Sequence, residues 1–363
     1  MFSQRIAALA SNLEAAGVDC FLAHDPVTMG YLQGFHEGAG ERFLTFAIRN
    51  TGETAMVCPA LSASQAKRAG VERVLPWKDG ESGGSLFAKL AEEWNLKTGI
   101  IAVDATMPAR LLLELQSILP AALFRDGEGF TSALMRVKSA EELEAMRVAG
   151  RIADEAYAEV APQIREGMTE QQVAGMLTRA MAARGGVPDF AIVATGKGAA
   201  EPHHISDDTP LRRGDVVIMD FGCSYEGYKS DITRTAAIGE ASDRAKLIYD
   251  TVYQAHMAGR AHVQPGVSAE SVDQAARRVI EDAGFGEFFF HRLGHGIGIQ
   301  VHESPNIVAG NVEPLEVGNC FSIEPGIYIE GEIGVRIENI VTCTASGHES
   351  MNVDPSPTLA ILG

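Results

Sequence analysis

The sequence has few cysteines and no pairing pattern among them. Its five cysteines are odd in number, lie scattered along the 363 residues and include no Cys-x-x-Cys motif. We therefore expect neither a disulfide framework nor a thiolate zinc site, and we expect a reducing compartment. No run approaches the roughly 20 apolar residues that a membrane-spanning helix needs. The start of the chain lacks a basic segment followed by an apolar one, so we expect no signal peptide and a cytoplasmic protein.

Positive charge is also scarce. The chain has 30 basic and 48 acidic residues, for a formal net charge of −18. Nucleic acids and anionic membrane surfaces are bound by clustered lysine and arginine, so neither is an expected partner. With 46% hydrophobic and 21% charged residues, the composition is that of a globular protein. The length allows two domains, each with its own core.

Short apolar strands and amphipathic helices alternate through the first third of the chain. This alternation predicts an α/β (α+β) fold, with an N-terminal domain at 1–126, a linker at 127–138 and a second domain at 139–363. In the second domain, Ser139 and Thr169 are each followed three residues later by Glu or Gln. Each pair predicts a capping box at the start of a helix.

A hairpin with two aspartates is the central feature of the second domain. The apolar run Val216–Met219 predicts a buried strand that ends at Asp220, and a polar, glycine-containing turn returns the chain to Asp231 and the strand after it. Two buried carboxylates that face each other across a hairpin repel unless a positive charge meets them. The hairpin therefore predicts a metal site.

The second domain contains an internal repeat. Residues 165–173 resemble residues 264–272, at a shift of 99, and residues 213–222 resemble residues 317–326, at a shift of 104. The second alignment places Asp220 over Glu324. Chance similarity between two helix-then-strand units is the simpler explanation, but two blocks at nearly the same shift favour duplication. Two halves related by a pseudo-twofold axis would bring their acidic strands together at one shared site.

The acidic strands and a glycine-flanked histidine supply a candidate set of metal ligands. The set is Asp220, Asp231, His295, Glu324 and Glu338. Four carboxylates and one imidazole suit two divalent ions with an oxygen-rich shell, Mn²⁺ or Co²⁺ before Zn²⁺. Such a pair lowers the pKa of a bridging water from 15.7 to about 7 and polarises a carbonyl. Hydrolysis of an amide-like bond is the reaction that this chemistry predicts.

Four segments carry a resemblance to a known family. They lie at 220–235 (Asp-Phe-Gly-x₇-Ser-Asp-Ile-Thr-Arg-Thr), 291–305 (His-x₃-His-Gly-Ile-Gly-x₃-His-Glu-x-Pro), 323–328 and 334–339. Together they resemble the M24 metallopeptidases with the pita-bread fold, in the branch of prolidases and Xaa-Pro aminopeptidases. The resemblance covers about residues 135–363, and the first domain is similar in size to the creatinase/prolidase-like N-terminal domain of that branch. It implies a homodimer that hydrolyses Xaa-Pro bonds at the N-terminus of dipeptides or short peptides.

The resemblance also implies roles for individual residues. The metal ligands would be Asp220, Asp231, His295, Glu324 and Glu338, binding two ions of which Mn²⁺ is the first expectation. The nucleophile would be a water that bridges the two metals and attacks as hydroxide. Glu324 would also pass the proton of this water to the leaving nitrogen. His203 and His302 would steady the substrate or the tetrahedral intermediate, whereas His204 is expected to be a bystander. His291 and Arg336 would line the proline side of the pocket.

One departure from the family pattern leaves the substrate length open. Some prolidases have a basic residue directly after the proline of His-Glu-x-Pro, where it holds the C-terminal carboxylate of a dipeptide. Asn306 stands there in this chain. An Xaa-Pro aminopeptidase acting on longer peptides is therefore the alternative to a dipeptidase. A catalytically inactive pita-bread binding module is the alternative from another class, although such modules typically lose ligands and this chain keeps all five.

Overall fold

The computed structural model describes residues 1–38 and 40–363. They form two compact units, which divide between Leu134 and Met135. Each unit combines helices with β-sheet, so the predicted two-domain α/β architecture is confirmed. A search of the described residues finds no helix with the length and apolar character required to cross a bilayer.

A mixed sheet is the centre of the N-terminal unit, with the strand order β4-β3-β2-β1-β5-β6. The strands are Cys20–Ala23 (β1), Thr45–Arg49 (β2), Thr54–Pro59 (β3), Val74–Trp77 (β4), Ile100–Val103 (β5) and Leu123–Asp126 (β6). The helices are Phe2–Ala15 (α1), Pro26–Gln33 (α2), Ala63–Arg68 (α3), Gly83–Glu93 (α4), Ala109–Ile118 (α5) and Glu128–Met135 (α6). Leu22, Phe87 and Trp94 belong to the apolar core between sheet and helices.

The segment predicted as a linker at 127–138 contains helix α6. Gly127 and Gly129 lower the helix propensity of this stretch, which explains why no helix was predicted from the sequence. A hydrogen bond at the start of the helix and the burial of one side chain stabilise it. The carboxylate of Asp126 accepts a hydrogen bond from the backbone amide of Glu128 at 3.0 Å, and Thr131 is buried.

The C-terminal unit contains longer helices and several small sheets. Its helices are Ala140–Val160 (α7), Glu170–Ala183 (α8), Asp243–His262 (α9) and Ala269–Asp282 (α10). Its strands are Val187–Thr195 (β7), Val216–Tyr225 (β8), Tyr228–Lys229 (β9), Ile232–Ile238 (β10), Gly294–Gly296 (β11), Glu303–Ile307 (β12), Cys320–Ile323 (β13), Gly326–Ile329 (β14), Ile333–Arg336 (β15), Asn339–Thr344 (β16), Gly347–Ser350 (β17) and Ala360–Leu362 (β18).

Helices α7 and α8 begin at the two predicted capping boxes, which are confirmed. The Ser139 hydroxyl accepts from the amide of Glu142, and the Glu142 carboxylate accepts from the amide of Ser139. Thr169 and Gln172 exchange the corresponding pair of hydrogen bonds. Both pairs satisfy amides that the first helical turn leaves without partners.

The same order of elements occurs twice in the C-terminal unit. Helices α7 and α8 precede a sheet with the order β18-β10-β8-β7, and helices α9 and α10 precede a sheet with the order β12-β11-β13-β16-β17. Each helix pair packs against its own sheet through a separate apolar core. This order agrees with the internal repeat in the sequence. It also brings the two aligned acids into the same unit. Glu324 directly follows β13, but the prediction that the first strand ends at Asp220 was wrong, because β8 continues to Tyr225 and Asp220 lies in its middle.

Candidate metal centre and active site

The nine predicted site residues line one cavity of the C-terminal unit, with a volume of about 540 Å³. They are His203, Asp220, Asp231, His291, His295, His302, Glu324, Arg336 and Glu338. They come from segments up to 135 positions apart in the chain, counted from His203 to Glu338. The fold therefore brings together residues that the sequence presents as separate motifs.

Backbone pairing places three of the acids around one point. Asp220 lies on β8 opposite Thr233 of β10, and Asp231 directly precedes β10. Glu338 forms an isolated antiparallel bridge with Thr233, so the second half of the unit meets the aspartate hairpin at this residue. Glu324 follows β13, and its carboxylate accepts a hydrogen bond from the Ser322 hydroxyl at 2.9 Å.

Each of these three acids has one carboxylate oxygen that is buried and lacks a hydrogen-bond partner among the described residues. The atoms are Asp220 Oδ1, Asp231 Oδ1 and Glu338 Oε1. Buried polar atoms of proteins are almost always paired, and an unpaired charged oxygen is costly. Three such oxygens in one cavity fit a bound cation, and their chemistry, with one imidazole beside them, fits a divalent ion that prefers oxygen.

Mutual repulsion acts on the buried acids as well. Burial, and then the charges of Glu338 and Asp220, raise the pKa of Asp231 well above its ordinary value. Burial and the charges of Glu324 and Asp220 do the same for the pKa of Glu338. Burial is also the main cause that raises the pKa of Glu324. A bound cation would lower these pKa values again, so cation binding and proton release are coupled at this site.

His295 is oriented as a nitrogen ligand. Its Nδ1 lies 3.0 Å from the carbonyl oxygen of Gly296, which makes Nδ1 the donor and leaves the lone pair of Nε2 free. Nε2 lies 3.9 Å from Asp231 Oδ2 and 3.3 Å from Glu324 Oε1. Burial lowers the pKa of His295 to about 4, so the ring is neutral near pH 7, as a ligand must be. Gly294 permits this approach, because a Cβ there would overlap the Ser322 carbonyl.

Arg336 faces the acids rather than open space. Its Nη2 donates to Asp220 Oδ2 at 2.7 Å, its Nε donates to the Thr233 hydroxyl at 3.2 Å, and its Nη1 donates to the Tyr328 hydroxyl at 2.9 Å. Although burial opposes its charge, Tyr328, Asp220 and Glu324 hold the pKa of Arg336 well above its usual range. The guanidinium therefore fixes one oxygen of Asp220 and leaves the other directed at the shared point.

His291 continues this network at the edge of the cavity. Its Nδ1 donates to the carbonyl of Arg292 at 2.7 Å, so its Nε2 accepts from the Tyr328 hydroxyl at 3.2 Å. The rings of His291 and Tyr328 are 5.5 Å apart, and Phe290 lies 5.7 Å from Tyr328. Phe290 is largely exposed. His291 and Tyr328 form an aromatic wall of the cavity beside the acids, which suits a ring such as that of proline, and Phe290 packs against Tyr328.

His203 and His302 are the exposed members of the site. The His302 ring packs edge-on against His295, with 4.3 Å between the ring centroids. Partial burial lowers the pKa of His302, and the adjacent His295 adds to the effect. A neutral imidazole can donate a hydrogen bond through one nitrogen and accept one through the other.

Several residues of the site were not identified from the sequence. Tyr328 connects His291 to Arg336, and Thr233 donates to Glu338 Oε2 at 2.7 Å. Arg292 lines the cavity, and its Nη1 donates to Asn306 Oδ1 at 2.5 Å. Tyr328 and Thr233 lie inside the motif segments at 323–328 and 220–235, so their place in these motifs could have indicated a role at the site. The contact of Arg292, just before β11, with Asn306 on β12 had no such signal, because it depends on how these two strands pair.

The cysteines take no part in the cavity within the described chain. Cys223 and Cys320, the two nearest in sequence to the site, are buried and free. Burial raises the pKa of Cys320 to about 11, which keeps it a thiol. A buried thiol of raised pKa is a poor metal ligand, because the ligand form is the thiolate.

Comparisons with known proteins agree with this geometry. Residues 144–345 match the model of metallopeptidase family M24, and residues 5–137 match the creatinase/prolidase N-terminal domain. An Xaa-Pro dipeptidase of Lactobacillus delbrueckii subsp. lactis is 37% identical, over 92% of this chain and 93% of its own length. The crystal structure of dipeptidase PepE from Mycobacterium ulcerans has a TM-score of 0.94 at 38% identity, covering 99% of this chain and 98% of its own.

A prolidase structure shares the fold across the same span. That of Thermococcus sibiricus prolidase has a TM-score of 0.94 at 32% identity, covering 100% of this chain and 99% of its own. The family model alone covers more than half of the chain, and it includes the residues from Asp220 to Glu338 that surround the buried acids. The chain therefore belongs to metallopeptidase family M24.

Proposed function

We propose that this protein is an Xaa-Pro dipeptidase, which hydrolyses the bond between an N-terminal residue and a C-terminal proline. The observation that carries the proposal is the group of three unpartnered carboxylate oxygens beside the free Nε2 of His295. Relatives named Xaa-Pro dipeptidase and prolidase support the substrate class. An aminopeptidase that acts on longer Xaa-Pro peptides is the second candidate.

Two divalent ions would be held by the five proposed ligands, Asp220, Asp231, His295, Glu324 and Glu338. We propose Mn²⁺ first, with Co²⁺ or Zn²⁺ as substitutes, because carboxylates dominate the set. When bound, such ions lower the pKa of a water to about 7 and polarise the scissile carbonyl. Arg336 and Thr233 hold Asp220 and Glu338 in place for this task, and such outer contacts commonly tune metal affinity.

Glu324 is the proposed proton carrier. Its side chain is 16% exposed, so it reaches the cavity, and the Ser322 hydroxyl fixes one of its oxygens. Burial raises its pKa above the ordinary value, which favours uptake of a proton by this carboxylate. Glu324 would take a proton from the attacking water and give it to the proline nitrogen as the C–N bond breaks. The products are then a free amino acid and proline.

The remaining cavity residues would bind the substrate. His203 and His302 are exposed at the cavity and would donate hydrogen bonds to the substrate carbonyl as negative charge develops on it. His291 would line the proline side, and we propose that Arg336 contributes there by holding Tyr328 as well as Asp220. Apolar contact from Phe290 would complete the wall.

Arg292 supports the dipeptidase over the aminopeptidase. Asn306, which stands where some prolidases have a basic residue, accepts a hydrogen bond from Arg292 and so directs a guanidinium to the cavity. The chain thus has a cation in this region, although it comes from another segment. A guanidinium pairs well with a carboxylate, and only a dipeptide presents its C-terminal carboxylate next to the proline ring.

We further propose a cytoplasmic homodimer in which residues 1–126 form the N-terminal domain, 127–138 connect the domains, and 139–363 carry catalysis. Five buried free cysteines favour a reducing compartment. The dimer rests on the family resemblance. Light scattering on the purified protein tests it, and a monomer at micromolar concentration would refute it.

The test of the function compares Ala-Pro with Ala-Pro-Ala in the presence of Mn²⁺. We expect cleavage of the dipeptide and at least ~10-fold lower kcat/KM for the tripeptide, because a lost charge-assisted hydrogen bond costs 1.5–3 kcal/mol. Comparable rates for both peptides would select the aminopeptidase. No hydrolysis of either would favour a binding module.

A further inference from the structure

His203 is in an unusual position for a substrate-binding group. Its side chain lines the cavity and is exposed, and no hydrogen bond to its ring exists among the described residues. Packing and side-chain partners therefore do little to fix the ring. Its location depends on the backbone of the segment at 201–207, so whatever anchors that segment also sets the position of His203.

The neighbouring His204 anchors the segment to a buried carboxylate. His204 Nε2 lies 2.7 Å from Glu170 Oε2, and the two side chains are 14% and 0% exposed. Glu170 is the first residue of helix α8. It precedes the 201–207 segment in the chain, whereas all the proposed metal ligands follow that segment. Neither His204 nor Glu170 lines the cavity, so this contact lies outside it.

Glu170 joins three parts of the fold. Its Oε1 accepts from the amide of Thr195, at the end of β7, at 2.8 Å. Its Oε2 accepts from the amide of Asp207 at 3.0 Å in addition to the His204 imidazole. Its own amide donates to the carbonyl of Thr209 at 3.1 Å. The carboxylate therefore holds the centre of the 201–207 segment, at His204, and its last residue, Asp207, against α8 and β7.

Geometry alone would allow these groups to hold a cation, since ligand atoms of Glu170, His204 and Asp207 lie within 4.8 Å of one another. The hydrogen bonds argue against it. Both oxygens of Glu170 accept backbone amides, and one also accepts the imidazole, so the buried charge is already compensated. A structural anchor accounts for every contact.

We propose that Glu170 and His204 are positioning residues that hold His203 at the reaction site. This inference rests on the proposed function, because the contact of His203 with substrate is part of that function. Removing the imidazole would leave Glu170 with its amide partners only and free the centre of the segment. A displacement of about 1 Å in a substrate-orienting group can cost ~10²-fold in rate.

The first experiment measures kcat and KM for Ala-Pro in the Mn²⁺-loaded full-length protein. His204→Phe removes the donor, whereas His204→Gln keeps an N–H that can reach Glu170. We expect His204→Phe to lower kcat/KM about 10-fold or more and His204→Gln to restore most of it. Asp208→Asn is the matched control, because Asp208 is an exposed acid of the same loop. Metal content is expected to be unchanged in all three variants.

A double-mutant cycle separates positioning from general stability. If His204 acts through His203, then His204→Phe changes kcat/KM by less than about 2-fold in a His203→Ala background. An equal loss in both backgrounds, or no loss in the wild-type background, would overturn the proposal. Thermal unfolding of each variant accompanies the cycle, and a fall in Tm without this non-additivity would also count against it.

Amide hydrogen exchange provides an arm that does not need turnover. In His204→Phe we expect faster exchange than in wild type in the 201–207 segment and unchanged exchange in β8 and β10. Exchange in the 201–207 segment equal to that of wild type would refute the anchoring role of His204. If wild-type protein cleaves no Xaa-Pro dipeptide, the proposed function is refuted. The exchange experiment still shows whether His204 anchors the 201–207 segment.

Discussion

The Thr233 hydroxyl donates a hydrogen bond to Glu338 Oε2 at 2.7 Å, and the Glu338 amide donates to the Thr233 carbonyl at 3.1 Å. This double contact joins the aspartate hairpin to the second half of the C-terminal unit. It also occupies one oxygen of Glu338 and leaves Oε1 without a partner among the described residues. Thr233 therefore selects which oxygen faces the shared point of the acids.

Thr233→Val is expected to weaken metal binding while preserving shape. The substitution removes the hydroxyl, so the Glu338 carboxylate can rotate, and such outer contacts are worth about 10-fold or more in metal affinity. Calorimetric titration with Mn²⁺ measures the change. Thr178→Val is the control, because its hydroxyl donates only to the Ala174 carbonyl within α8. Equal Mn²⁺ affinities of the two variants would refute the role of Thr233 in metal binding.

Glu324→Gln is expected to lower kcat for Ala-Pro by about 10²-fold or more, because the amide cannot accept and return a proton. Metal occupancy should also fall, since Gln is a neutral and poorer ligand. Steady-state kinetics and metal analysis measure the two effects. Glu330→Gln changes the same side chain at an exposed position and should match wild type. A fully active Glu324→Gln would refute the proton-carrier assignment.

Arg292→Ala is expected to reduce discrimination between peptide lengths. Loss of the guanidinium should raise KM for Ala-Pro about 10-fold and leave the amidated dipeptide nearly unaffected, because only the free acid carries a carboxylate. Arg278→Ala, at an exposed position of α10, is the matched control. Unchanged selectivity would mean that the carboxylate is held elsewhere.

His256 makes the stability of the C-terminal unit depend on pH. It is fully buried, its Nδ1 lies 3.0 Å from the Ile323 carbonyl, and burial, followed by the charge of Arg260, lowers its pKa well below the ordinary value. A depressed pKa means that the folded state keeps the ring neutral. Its contribution to stability is complete above the unfolded pKa of about 6.5 and is lost as the pH falls below that value.

His256→Asn tests this dependence, since the Asn amide can still donate to Ile323 but cannot titrate. Below about pH 6.5 the free energy of unfolding of wild type should fall by up to ~1.4 kcal/mol per pH unit more steeply than that of the variant. Urea unfolding across this range gives the slopes. His262→Asn, at an exposed position, should retain the wild-type slope. Parallel slopes for His256→Asn and wild type would contradict the assignment.

The sequence was most informative where chemistry and local pattern coincide. Asp220 and Asp231 follow from a buried strand and its return, because strand burial and turn residues are local properties. His203 entered only through the family resemblance, since an exposed loop histidine has no local signature. The helix α6 was missed because Gly129 within it and Gly127 before it lower the helix propensity of a short segment.

Contacts between distant segments were beyond sequence reasoning. Arg292 reaches Asn306 through the pairing of β11 with β12, and His204 reaches Glu170 across 34 positions. In both cases the sequence around each residue gives no sign of which partner it contacts. The substitution at position 306 therefore looked like the loss of a cation, whereas the fold supplies one from Arg292.

Metal stoichiometry is the most direct test of the central claim, which is that the buried acids are compensated by two divalent cations. Purified protein dialysed against chelator and titrated with Mn²⁺ should bind about two ions per chain, as a paired-metal hydrolase requires. Ala-Pro hydrolysis should return with the ions, and Asp231→Asn should lower the stoichiometry. A protein that binds no Mn²⁺, or that cleaves Ala-Pro equally well after chelation, would contradict the account.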